Sequence, residues 1–173
     1  TGAPAVGKTT TIERAIEDLD PPPIGFITKE VRAEGDGARI GFRVVPLRMP
    51  DAARIFAHRE FNSLQRVGRY GIDIESLNYG LDMALSYRGA PARVAVVDEV
   101  GKMECFSPRF EKKVRKLLDG ALPVLGTVSE GGGGLMADVR GHPEVRLVEL
   151  THETRDEVLI EVQNWLAAVT QRR

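Results

Sequence analysis

A single α/β domain spanning residues 1–173 is predicted, with a largely parallel sheet flanked by helices and one antiparallel hairpin. Three observations predict it. Gly2 to Thr9 reads Gly-Ala-Pro-Ala-Val-Gly-Lys-Thr and opens into an apolar stripe at helical spacing, the loop-into-helix pattern that wraps a phosphate chain. Val94-Ala95-Val96-Val97 is an unbroken apolar run without alternation, as in a strand covered on both faces. Elsewhere, segments of helical and extended character alternate, the order that builds a parallel sheet.

In chain order, Ile12, Ala15, Ile16 and Leu19 mark the first helix, which Pro21-Pro22-Pro23 stops. Ile24 to Val31 and Arg39 to Pro46 are extended runs joined by Glu34-Gly35-Asp36-Gly37, a hairpin signal. Pro50 to Arg59 is expected to be a short helix. Leu77, Leu81 and Leu85 mark another helix, expected to end near Gly89-Ala90-Pro91. The strand over Arg93 to Val97 ends in Asp98-Glu99. Ser107-Pro108 then starts a helix, a capping serine before a first-turn proline, whose buried face is Phe110, Val114, Leu117 and Leu118. Leu122 to Val128 and Val145 to Leu150 read as the last strands. Thr154 to Thr170 is the final helix, with Val158, Leu159, Val162, Trp165, Leu166 and Val169 on one side. A phosphate-binding loop normally leaves a buried strand, yet only Thr1 precedes Gly2. The strand leading into the loop is therefore read as missing, with its expected place beside or close to the strand ending at Asp98.

The composition is that of an ordinary globular protein: 28% charged, 42% hydrophobic and a net charge of -1. This balance gives no bulk electrostatic reason to bind nucleic acid or a membrane. No apolar run approaches the roughly 18 residues of a membrane span, and no secretory signal is visible. A single cysteine, Cys105, excludes an internal disulfide, and His58, His142 and His152 lack metal-ligand spacing. A cytoplasmic location is expected.

The chemistry is concentrated in two places. In the loop, the backbone of Gly2, Ala3, Pro4, Ala5, Val6 and Gly7 and the helix start at Lys8, Thr9 and Thr10 offer a phosphate cradle. Lys8 reaches the β/γ-phosphates, and the Thr9 hydroxyl is a ligand for Mg²⁺. The second place is the carboxyl end of the strand over Arg93 to Val97, where ligands of open α/β sheets bind. There Asp98 can hold the magnesium shell through water, and Glu99 can polarise an attacking water.

Five segments occur in order: Gly2 to Thr10, Gly25-Phe26-Ile27-Thr28-Lys29-Glu30-Val31-Arg32, Gly41-Phe42-Arg43-Val44-Val45, Val67-Gly68-Arg69-Tyr70-Gly71-Ile72-Asp73, and Val97 to Glu104. Together they resemble the THEP family of small nucleoside triphosphatases, over essentially the whole chain. After the phosphate loop, Asp98 to Phe106 is the most specific signature. The resemblance implies a P-loop, RecA-like α/β fold and Mg²⁺-dependent hydrolysis of ATP, GTP and other nucleoside 5′-triphosphates to diphosphate and phosphate. It also implies a nucleotide contact from the Asn-Arg pair that closes the family's pattern. Here Arg155 supplies the arginine, while Thr154 replaces the asparagine.

Lys102 either brings positive charge toward the γ-phosphate or is a solvated loop lysine. Arg69 is either an internal arginine finger or pairs with Asp73 or Glu75, and Arg32 and Arg140 are further basic candidates. The run Gly131 to Gly134 is expected to be a mobile surface segment, with no lysine or helix start after it. Cys105 reads as a small apolar residue beside Phe106, and Tyr70, Tyr79 and Phe26 read as core rather than as base-stacking rings. The cluster Lys112-Lys113 and Arg115-Lys116 reads as the wet face of its helix, since no aromatic residues interleave it. Two other readings stay open on residues alone: a P-loop nucleotide or small-molecule kinase, and a nucleotide-dependent switch or nucleic-acid-associated ATPase.

Overall fold

The computed structural model describes residues 1–85 and 91–171. Along the chain come α1 (Lys8–Ile16), β1 (Ile24–Arg32), β2 (Arg39–Pro46), β3 (Arg54–His58), β4 (Arg66–Val67), β5 (Tyr70–Ile72) and α2 (Ile74–Leu85). After these come β6 (Ala95–Val100), α3 (Pro108–Leu118), β7 (Val124–Val128), α4 (Leu135–Gly141) and α5 (Arg155–Gln171). Single 3-10 turns lie at Pro50–Ala52 and Glu104–Phe106.

Seven strands form one sheet in the order β4-β5-β3-β2-β1-β6-β7. The α/β architecture is as expected, but the sheet is mixed rather than largely parallel. Only β1, β6 and β7 run parallel, with Ile27 opposite Asp98 and Val97 opposite Gly126. The remaining four pairings are antiparallel. Part of the antiparallel excess comes from the stretch Pro50 to Arg59, which is no helix. Its first turn stops at Ala52, and Arg54–His58 then pairs with β2, burying Phe56 and Ala57 while Ile55 stays exposed. A second hairpin, β4–β5, folds over Gly68-Arg69 and pairs through β5 with β3.

Two cores sandwich the sheet, and strand alternation sorts residues between them. In β1, Phe26 faces one core and Ile27 the other; in β6, Val97 and Val96 divide likewise. The first core gathers Phe26, Val44, Phe56, Leu77, Leu81, Phe110 and Val114 beneath α2, α3 and α4, with Phe26 and Phe110 edge to face at 6.2 Å. The second gathers Ile12, Ile16, Val94, Leu159 and Leu166 beneath α1 and α5. Each fully buried large apolar side chain contributes about 1.5–3 kcal/mol, so the two faces anchor α1 and β6, the elements that carry Lys8, Thr9, Asp98 and Glu99.

The α3 start is as expected, with the Ser107 side chain accepting from the Phe110 amide. The expected end of α2 at Gly89-Ala90 lies outside the described residues. Val145 to Leu150, expected to be a strand, pairs with no strand of the sheet among the described residues. Thr1 ties it down instead: the Thr1 amine donates to the Val148 carbonyl at 2.7 Å, and the Leu150 amide donates to the Thr1 carbonyl at 2.8 Å. The Thr1 hydroxyl also donates to the carbonyl of Val128. The phosphate loop is thus entered beside β7, one strand out from β6. A cavity of about 410 Å³ runs along this side of β7, floored by Ile12, Val97, Val162 and Trp165.

Candidate functional site

The phosphate loop turns through three residues with positive φ, Gly2, Ala5 and Gly7, and hands the chain to α1 at Lys8. Gly2 is obligatory, because a β-carbon there would meet the Leu150 carbonyl oxygen at 2.4 Å. Gly7 has φ +103°, and the Arg155 guanidinium packs against it, its carbon 3.5 Å from where a β-carbon would be. Arg155 also donates from Nη2 to the Val6 carbonyl at 3.0 Å and meets the His152 ring at 2.8 Å, while its buried Nε has no partner. The start of α5 therefore braces the loop. Thr154 turns back on Thr151, its hydroxyl accepting from the Thr151 amide.

The loop and β6 meet at Asp98. This carboxylate is fully buried and accepts from the Thr9 hydroxyl at 2.6 Å and from the Thr127 hydroxyl at 2.5 Å. Burial pushes its pKa up. The hydrogen bonds from Thr127 and Thr9, with one from the Thr28 backbone, oppose that rise, and the neighbouring Glu99 charge adds to it. Glu99 is half-buried. Its Oε1 accepts from the Ser129 hydroxyl at 2.8 Å, and its Oε2 lies 3.8 Å from Lys8 Nζ. Lys8 folds back over its own loop, donating to the carbonyls of Gly2 at 2.8 Å and Ala3 at 3.3 Å. The structure thus brings Lys8, Thr9, Asp98 and Glu99 together where the sequence places the chemistry. Thr10, in contrast, is exposed on α1.

The other candidates stand elsewhere. Lys102 is exposed in the turn after β6. Arg69 pairs with neither Asp73 nor Glu75. It donates to the Tyr70 hydroxyl at 3.2 Å and to the Arg39 carbonyl at 2.9 Å, within the β4–β5 hairpin and the start of β2. Asp73 instead caps α2 through the amides of Glu75 and Ser76. Tyr70 and Phe26 are core, whereas Tyr79 is exposed beneath the Arg54 guanidinium. Cys105 is half-buried, and burial pushes its thiol up to about 12, which suits an inert residue. Lys113 and Arg115 pair with Asp82 and Asp138 on the helix surface.

Three residues escaped sequence reasoning. Thr127 and Ser129, two apart at the end of β7, face β6 together and hold Asp98 and Glu99. Their signal was a pair of hydroxyls at alternate positions at the carboxyl end of a parallel strand. The third, Glu104, is buried in the turn after β6, and its carboxylate accepts from the Gly101 amide. Its pKa is pushed up to about 8, chiefly by burial and further by the charges of Glu99 and Asp98. One expectation is overturned. A helix start does follow Gly131 to Gly134, that of α4, and its Arg140 donates to the carbonyls of Gly131 at 3.2 Å and Gly132 at 2.6 Å.

Comparison with known proteins places this geometry. A family model described as NTPase matches residues 1–163. The chain is 35% identical to the nucleoside-triphosphatase THEP1 of Aquifex aeolicus (strain VF5), over 96% of each chain. It is 37% identical to the cancer-related nucleoside-triphosphatase homolog of Bos taurus, over 94% of this chain and 92% of that one. The crystal structure of THEP1 from Aquifex aeolicus matches with a TM-score of 0.84 at 33% identity, covering 95% of both chains. The solution structure of a human cancer-related nucleoside triphosphatase matches with a TM-score of 0.77, also at 33% identity, covering 99% of this chain and 96% of that one.

Proposed function

This chain belongs to the THEP family of small nucleoside-triphosphatases, and on that premise we propose that it hydrolyses nucleoside 5′-triphosphates to diphosphate and phosphate between the phosphate loop and the end of β6. The observation that carries the reading is the Thr9–Asp98 contact of 2.6 Å, which joins the loop to a buried carboxylate with Glu99 and Lys8 alongside.

Mg²⁺ fits this donor set. It takes hard oxygens, one or two from protein and the rest from phosphate and water, and Thr9 and Asp98 present a hydroxyl and a carboxylate oxygen in contact. When bound, the ion neutralises phosphate charge. The chain's own groups do the rest. The loop amides bind the phosphates, and Lys8 exchanges the carbonyls of Gly2 and Ala3 for β/γ oxygens. Ser129 holds Glu99 by Oε1, leaving Oε2 to take a proton from the water that attacks the γ-phosphorus. The bond to the β-phosphate oxygen breaks and the diphosphate leaves. Arg155 acts by bracing Val6 and Gly7. Broad tolerance of ATP, GTP and other triphosphates belongs to this reading. The placement of Arg69 on Tyr70 and Arg39 supports a structural role for it rather than that of a finger.

Phosphate release from a panel of nucleoside triphosphates, with no acceptor present, tests the proposal. The wild-type chain is expected to release phosphate from several of them, and Lys8→Ala to lose at least about a hundredfold in rate. Equal rates for Lys8→Ala and wild type would sink it, as would phosphate appearing only on an added acceptor.

A further inference from the structure

The run Gly131 to Gly134 is exposed, and glycine loses more backbone freedom on ordering than any other residue. Something must hold the run in place. Arg140 Nη1 donates to the carbonyl of Ser129 at 2.6 Å and to that of Gly131 at 3.2 Å, and Nη2 donates to that of Gly132 at 2.6 Å. No carboxylate pairs with Arg140 among the described residues, so three carbonyl dipoles meet its charge. Only a planar fork spans such a set; an ammonium is a point donor.

The clamp has a firm base. Leu135, Met136 and Val139 bury α4 in the first core, and Asp138 pairs with Arg115 of α3 at 2.7 Å. At its other end the clamp holds Ser129, whose amide donates to the Val100 carbonyl at 3.1 Å and whose hydroxyl donates to Glu99 at 2.8 Å. We propose that Arg140 is a positioning residue for hydrolysis: by gathering the carbonyls of Ser129, Gly131 and Gly132, it fixes the turn after β7 so that Ser129 holds the Glu99 carboxylate in place. This rests on Glu99 being the group that activates water. Arg140 touches neither Glu99 nor the phosphate loop, so it acts through Ser129 alone.

A double-mutant cycle in steady-state hydrolysis of ATP tests this, with Arg140→Met keeping the aliphatic stem. Arg140→Met and Ser129→Ala are each expected to lower kcat about tenfold, the loss of one hydrogen bond at the base, with KM unchanged. The double variant is expected to be no slower than the slower single variant, because both changes remove the same contact. Arg140→Lys, which keeps charge and stem but cannot span all three carbonyls, is expected to fall between, and it serves the same test should Arg140→Met not fold. A kcat for the arginine variant within twofold of wild type would overturn the proposal, as would losses that multiply in the double variant. Glu99→Gln is run alongside. If it keeps the wild-type rate, the reading of Glu99 fails; if it is inactive while the arginine variant is unaffected, only the role of Arg140 fails.

Discussion

The parallel and antiparallel halves of the sheet differ in what their strand ends hold. In the parallel half, β6 and β7 end side by side and four polar residues meet there: Asp98 and Glu99 from β6, Thr127 from β7 and Ser129 from the turn after it. The loop before α1 closes on the same point through Thr9 and Lys8. In the antiparallel half, the polar groups near the hairpin ends satisfy one another. Arg39 reaches Glu30 and the Tyr70 hydroxyl, and Arg69 reaches that same hydroxyl and the Arg39 carbonyl. Burial alone would push the Tyr70 hydroxyl up, yet hydrogen bonds and charge from the two arginines leave it below its ordinary value. One half gathers its side chains where the loop closes on the strand ends; the other spends them on its own frame.

The largest effect that can break this contrast is expected at Asp98. Asp98→Asn keeps the shape but removes the charge beside Thr9, so on the proposed mechanism kcat is expected to fall by at least about a hundredfold. A matched change in the other half, Arg69→Ala, is expected to leave kcat within about twofold and to lower stability by about 1 kcal/mol, the worth of its hydrogen bonds. Comparable losses of kcat in both variants, at matched folded fractions, would erase the distinction.

Glu104 sharpens the picture from within the parallel half. Its folded pKa of about 8 lies above the ordinary 4.5, so between those values the folded chain holds a proton that the unfolded chain has lost. Stability must therefore fall as pH rises across that window, and it levels off above it. Glu104→Gln removes this slope. Relative to wild type the variant is expected to gain stability progressively from pH 5 to pH 8, by about 3 kcal/mol at pH 7. Urea unfolding at several pH values checks it; a gap between variant and wild type that does not change with pH would mean Glu104 carries no such proton.

Much of this was legible in residues. The loop declares itself because only glycine fits where Gly2 approaches Leu150, and β6 because a strand covered on both faces cannot alternate. The hairpin of β1 and β2 was visible in its turn, where Asp36 accepts from the Ala38 amide. What stayed hidden depends on distant partners. Arg54–His58 became a strand because β2 and β5 offered edges on both sides, which no local propensity encodes. Val145 to Leu150 has strand-like residues, yet its backbone bonds go to Thr1 and His142 rather than to a strand of the sheet. Ser129 looked like any loop serine until β7 was seen beside β6. The glycine run looked free because its restraint, Arg140, arrives from α4, whose seven residues are too few to show a periodic stripe.

Glu99 is the residue on which the account turns, and Glu99→Gln is its most direct test. Single-turnover hydrolysis should be compared with equilibrium binding of the same nucleotide for wild type and variant. The expected result is binding preserved within a few-fold, since among the described residues the contact of Glu99 with the loop is a 3.8 Å approach to Lys8, and hydrolysis slowed by about a hundredfold or more. Hydrolysis at the wild-type rate, with binding intact, would contradict the assignment of the base.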